Sequence, residues 1–254
     1  MPVPAVLPSN FGFTSGIQVY FWTQRQAARD AKADVGTPAL DRQRCHAVKY
    51  VHENAHFHCY AKTIYQENSI RKVKGANEWL HPDIVGVQFE EYKNDSTLSL
   101  LKATEPKESI HIYSYELKRK IESDYQLKQN YFQALSNSSW ANYGYLVAFE
   151  INEDLDEEMA RLNNAFGIGI IQMQVDGTKI LYPAKENALD YNTIEKLNNL
   201  NKDFCEFIGK LTKVIKASKD YTTDALASFE KICDKIFQSD EEQEAYCKEH
   251  NIPF

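Results

Sequence analysis

No two of the five cysteines, Cys45, Cys59, Cys205, Cys233 and Cys247, form a Cys-x-x-Cys pair, and their number is odd. Neither a zinc ribbon nor a disulfide framework is thereby suggested, and a reducing compartment fits best. Nowhere does an apolar run approach the roughly 18 residues that a membrane span needs. The N-terminus, Met-Pro-Val-Pro-Ala-Val-Leu-Pro, lacks the basic region of a secretory signal. A soluble, cytoplasmic protein with no membrane partner is expected. An excess of positive charge is missing too, since 29 Lys and Arg stand against 36 Asp and Glu for a net charge of -7. That argues against a protein that coats polyanions, because such binding rests on neutralising phosphates with cations. It does not argue against a nuclease, whose site must itself be acidic to hold metal.

What is present begins with enough apolar residues, 43% of 254, to bury a sizeable core. Internal repeats and low-complexity tracts are absent. Three stretches differ in character. Residues 1–39 form an N-terminal extension that mixes Pro, Gly and Ser with one aromatic cluster, Val19-Tyr20-Phe21-Trp22. Residues 40–185 carry alternating helix and strand signals. Residues 186–254 are charged and helical, and are expected to pack on the core or to form an oligomer contact.

Within the middle stretch, a helix is expected from Pro38 to about Val51, then strands over 57–65, from near Pro82 to Phe89, and over 109–118. A long polar loop joins the last two as a hairpin. A helix over 125–141 follows, loosening at Asn137-Ser138-Ser139, then a strand at 145–149, a helix at about 154–165 and a strand at 167–173. This order implies an α/β fold, a mixed central sheet with helices on its faces. The tail reads as helices near 190–215, 220–237 and 239–249, the first with apolar residues at Leu197, Leu200, Phe204, Phe207, Ile208 and Leu211.

Two short segments carry the chemistry. His81-Pro82-Asp83 places an acid at the start of an apolar strand, where proline is tolerated. Tyr115-Glu116-Leu117-Lys118 places a carboxylate and an amine two apart in an alternating run, so both leave one face of a strand. Two carboxylates with a cation beside them can hold a divalent metal and stabilise a phosphoryl group.

The pair Pro82-Asp83 and Glu116-Leu117-Lys118, with the order of elements, resembles the PD-(D/E)XK superfamily of restriction-endonuclease-like nucleases. Lys62-Thr-Ile-Tyr65, Asn77 to Val87, Tyr131 to Asn142, Gly144 to Val147 and Phe166 to Gly169 extend the resemblance over about residues 40–210. They look like a bacterial group encoded near restriction-modification genes, many of whose members carry an N-terminal HARE winged-helix domain. Residues 1–39 are too few for that domain, so its DNA targeting is not carried over. The resemblance implies a Mg²⁺-dependent DNA endonuclease, with Mn²⁺ able to substitute, in restriction or anti-phage defence. DNA is the expected partner, with a homodimer or a defence-system protein as further partners.

By that resemblance Asp83, Glu116 and the Leu117 carbonyl are metal ligands, and Lys118 orients the attacking water. Gln133, on the following helix, holds water or phosphate, or simply faces solvent. Asp41 and Glu53 are candidates for the acid that some members place on the first helix. Arg71, Lys72, Lys74, Arg119, Lys120 and Lys128 are expected to form a positive wall for DNA. Asn137, Ser138, Ser139 and Asn142 are candidates for backbone contacts or for ordinary caps. Trp79 and Trp140 read better as core than as stacking platforms.

Two other readings stand beside this one. The same fold could be a catalytically silent DNA-binding or partner-gated subunit. His52-Glu53-Asn54-Ala55-His56 matches His-Glu-x-x-His, which on a helix puts two zinc ligands on one face and a general base between them, as in a metallopeptidase. It falls, however, where the first helix is expected to give way to a strand.

Overall fold

The structure is a computed structural model that describes residues 38–70, 79–89, 110–174, 177–217 and 221–237, a few single positions besides, and side chains from Gln43 onward. Helix α1 (Pro38–Glu53) leads to strand β1 (Tyr60–Thr63) and a short 3-10 turn (Gln66–Asn68). Strands β2 (Ile84–Phe89) and β3 (Ile110–Ile121) follow, then helix α2 (Asp124–Ser138), strand β4 (Tyr143–Ile151) and helix α3 (Asp156–Phe166). Strands β5 (Gly169–Gln174) and β6 (Gly177–Tyr182) complete the sheet, and helices α4 (Tyr191–Leu200), α5 (Lys202–Lys216) and α6 (Thr222–Glu230) close the described chain.

The six strands lie in sequence order in one mixed sheet. β1, β2 and β3 are mutually antiparallel, β3, β4 and β5 are parallel, and β6 returns antiparallel. Parallel neighbours need a crossover, and α2 and α3 supply the two crossovers. The helix and strand order expected through residue 173 is thus present. The expected reading omits β6 and runs one helix through 190–215, whereas two form there. The break is at Asn201, whose backbone is extended and whose side chain accepts a bond from Phe204 N to cap α5. Residues 90–109 of the expected loop lie outside the described residues apart from Ser96, as does most of the expected 239–249 helix.

Alternation along the strands sorts the core into two faces. On one face α1 covers Tyr113, Tyr115, Leu117, Tyr145 and Val147 through Ala47, Val48 and Val51, with Phe57 wedged between. On the opposite face α2 and α3 cover Leu146, Ala148 and Ile170. The C-terminal helices cover Val85, Val87 and Ile112 on that same face, with Trp140 packed edge-on against Phe204. They therefore pack on the sheet, and Pro38–Phe254 forms one unit.

The edge of β1 is closed by the segment after α6. Asp234 N–H donates to Ala61 O, and its carboxylate accepts from Thr63 N and Oγ1 at 2.7 and 2.6 Å. Covering an edge strand in this way removes a template for pairing with other chains. On the far side, α2 presses close to β4. A Cβ on Gly144 would lie 2.1 Å from Ser138 Oγ, so only glycine allows that approach. The end of α2 is consequently regular through Ser138 rather than loosened, and it overlies β3. No helix among the described residues is long and apolar enough to cross a membrane.

Candidate metal and catalytic site

Ser123 starts α2 by accepting a bond from Gln126 N, and the helix then runs over β3 so that Gln133 and Asn137, one turn apart, face the strand. On β3, Ile112, Ser114, Glu116 and Lys118 leave the face beneath. Ile112 is buried under the C-terminal helices, and Ser114 Oγ donates to Asn137 O at 3.2 Å. Glu116 lies where the two helical layers part. Continuing the pairing Ile84↔Tyr115 by one residue sets Asp83 opposite Glu116.

The three residues singled out by sequence are thereby brought together and buried. Asp83 and Lys118 are each 8% exposed and Glu116 is 2% exposed. Glu116 Oε1 meets Lys118 Nζ at 3.1 Å and accepts from Gln133 Nε2 at 2.5 Å, while Oε2 accepts from Asn137 Nδ2 at 2.5 Å. Asp83 Oδ2 accepts from Leu117 N–H at 2.8 Å. In a strand the N–H and C=O of one residue leave the same edge, so the Leu117 carbonyl also points past the start of β2, toward Asp83.

Burial, and then the charge of Asp83, push the Glu116 carboxyl up to about 7, against the lowering effect of Lys118 and Asn137. Two carboxylates whose charges crowd each other are a site that a cation relieves. No three His, Cys, Asp or Glu side chains among the described residues gather as a metal cluster. A divalent ion here would have Asp83, Glu116, the Leu117 carbonyl and water as its donors. An all-oxygen set with few protein ligands suits Mg²⁺, which keeps part of its water shell.

The other expected residues do not converge on this centre. Arg119 is exposed and, by alternation, on the opposite face from Lys118. Lys120 is paired with Glu122 and Glu150 at 2.9 and 3.1 Å, and Lys128 with Asp124 and Glu158 at 2.7 and 3.2 Å. Their charge is matched locally, so these two do not build the expected positive wall. Arg71, Lys72, Lys74 and the side chain of Asp41 lie outside the described residues. Glu53 is exposed at the end of α1, which packs on the other face of the sheet.

The His-Glu-x-x-His face is not formed. α1 ends at Glu53, and His56 lies beyond it in a turn where its N–H donates to Asn54 Oδ1 at 2.9 Å. His52 Nδ1 instead sits 3.1 Å from Cys59 O, beside a cavity of about 470 Å³ shared with Cys233 and Asp234.

Among the candidates for DNA contacts, Asn137 is fully buried and holds Glu116. Its spacing of four from Gln133 is the signal that points to this role. Ser138 donates to Ala134 O within the helix, Ser139 donates to Ser136 O, and Asn142 bonds Ile112 N and Asn187 O. Trp140 is core, with Nε1 donating to Asn137 O at 2.7 Å, whereas Trp79 is only half-buried. Comparison with protein-family models, with curated proteins and with solved structures gives no match, so what can be said of this site comes from its own residues.

Proposed function

We propose that this chain is a Mg²⁺-dependent DNA endonuclease of the restriction-endonuclease-like PD-(D/E)XK class, acting in the cytoplasm in restriction or anti-phage defence and cutting both strands as a homodimer. The observation that carries this reading is the buried Asp83, Glu116 and Lys118 set on one sheet face, with Lys118 Nζ 3.1 Å from Glu116. The order α1-β1-β2-β3-α2-β4, with the acids at the start of β2 and on β3, supports the same class.

In this reading Asp83, Glu116 and the Leu117 carbonyl hold the metal. When bound, Mg²⁺ supplies charge relief on a phosphoryl oxygen and a more acidic water. Lys118 orients the attacking water and faces the charge that develops on phosphate. Gln133 and Asn137 bond the two oxygens of Glu116, holding its carboxylate toward Asp83 rather than letting it turn away.

One observation favours a second reading, a silent or partner-gated subunit: both Glu116 oxygens already have donors. Supercoiled plasmid incubated with Mg²⁺ or Mn²⁺, wild type beside Lys118→Ala purified in parallel, separates the two. Nicking or linearisation by wild type alone is the expected result. No cleavage by either protein rejects autonomous activity, and equal cleavage by both rejects this catalytic centre.

A further inference from the structure

The chain reaches Asp83 through a turn, Trp79 to Pro82, that two elements outside the sheet hold in place. Trp79 has a φ of 57°, a left-handed conformation that a non-glycine residue keeps only where its surroundings impose it. Its carbonyl accepts a bond from Ser136 Oγ of α2 at 2.7 Å. Two residues on, His81 is 5% exposed and meets Ser69 Oγ through Nε2 at 3.1 Å.

Ser69 is tied in turn to the α4–α5 junction. Asn201, 1% exposed, donates through Nδ2 to Ser69 Oγ at 2.7 Å and to Tyr65 O at 3.0 Å. The main chain repeats the contact, since Ser69 and Asn201 pair as an antiparallel bridge and Ile70 N–H donates to Leu200 O at 2.8 Å. The residue that breaks the long C-terminal helix is therefore the one that reaches toward the Asp83 turn. This accounts for a buried asparagine in a junction that capping alone would leave near the surface.

We infer that Asn201, Ser69 and His81, with Ser136 on the other flank, are positioning residues for Asp83. The C-terminal helices then belong to the catalytic apparatus and are not a detachable cap. None of the four bonds the Glu116 carboxylate; each acts through the turn that delivers Asp83, whose Oδ2 accepts from Leu117 N–H at 2.8 Å. The catalytic consequence rests on the nuclease reading above, whereas the geometric one does not.

The Leu117 amide reports the placement of Asp83, so its hydrogen exchange, followed by NMR in the full chain beside cleavage kinetics, tests the inference. Ser69→Ala, which removes the bonds to both His81 and Asn201, is expected to speed Leu117 exchange about tenfold or more, while the amides of Val147 and Ile171 keep their rates. kcat is expected to fall by a similar factor with KM unchanged. Ser69→Thr, which retains the hydroxyl, restores both values. Asn199→Ala, whose side chain bonds only Glu195 of the same helix among the described residues, changes neither. A Leu117 amide that exchanges at the wild-type rate in Ser69→Ala overturns the inference, as does equal acceleration at Val147 and Ile171. Wild-type protein that cleaves nothing overturns the functional reading instead, and the Leu117 amide still decides this one.

Discussion

Lys118 Nζ stands 3.1 Å from Glu116 Oε1 in a place where the carboxylate is only 2% exposed. A buried pair of this kind gives little net stability, because desolvating both charges offsets most of their attraction. Removing one partner, by contrast, leaves the other charge buried and uncompensated. Lys118→Met is therefore expected to lower stability near pH 8 by roughly 3 kcal/mol, measured by urea unfolding, and to abolish cleavage. Unchanged stability would mean that the lysine is not held against the carboxylate.

The pH dependence of stability has a definite sign. Glu116 titrates at about 7 in the fold against 4.5 when unperturbed, burial being the main cause. Between those values the folded chain keeps a proton that the unfolded chain has released, so stability falls as pH rises through that window. The fall is on the order of 3 kcal/mol from this residue. Glu116→Gln should remove that slope, and millimolar Mg²⁺ should restore stability to wild type at pH 8 but not to the variant. Unfolding free energies of both proteins from pH 4.5 to 8, with and without Mg²⁺, check this.

Asn137 is fully buried, and its Oδ1 has no bonded partner among the described residues while Nδ2 holds Glu116. Asn137→Leu deletes the donor to the carboxylate without leaving an orphaned polar group in its place. Mn²⁺ affinity by calorimetry is expected to drop about tenfold or more, the usual cost of losing a bond behind a metal ligand. Gln133→Leu should act similarly through the other oxygen.

Gly144 decides how closely α2 lies on β4. Gly144→Ala would set a Cβ 2.1 Å from Ser138 Oγ and 2.5 Å from Ser138 Cβ. A loss of about 3 kcal/mol is expected from that overpacking. Ser138→Gly in the same chain should return part of it, because the closest clashes are with Ser138, the remaining one being with Ile168 Cδ1 at 2.8 Å. Thermal unfolding of the single and double variants is the measurement.

His52→Ala is expected to leave cleavage unaltered, since His52 lies on α1, which covers the opposite face of the sheet from Glu116. Zinc bound stoichiometrically by wild type and lost in this variant would reinstate the peptidase reading.

Much of the sheet was legible because its signals are local. Strand geometry over Ile110 to Lys118 is enough to put Glu116 and Lys118, two residues apart, on one face. The Gly177–Tyr182 strand is not legible, for its described side chains are at most partly buried and its period is weak. The split at Asn201 is not legible for a different reason: the apolar spacing continues across it, and the bonds that favour the break include long-range ones to Ser69 and Tyr65.

By itself, then, the sequence determined the order of elements through β5 and the pairing of an acid with an amine on one strand face, because neighbours in a chain have fixed relative directions. Only the tertiary structure decided that Asp83 joins them, and that Gln133 and Asn137 clamp Glu116. It also decided that Lys120 and Lys128 are spent on nearby carboxylates. Those outcomes depend on which surfaces meet across tens of residues, and no local spacing encodes that. The histidine motif makes the same point in reverse, since a spacing suited to zinc has no effect once the helix ends between its two histidines.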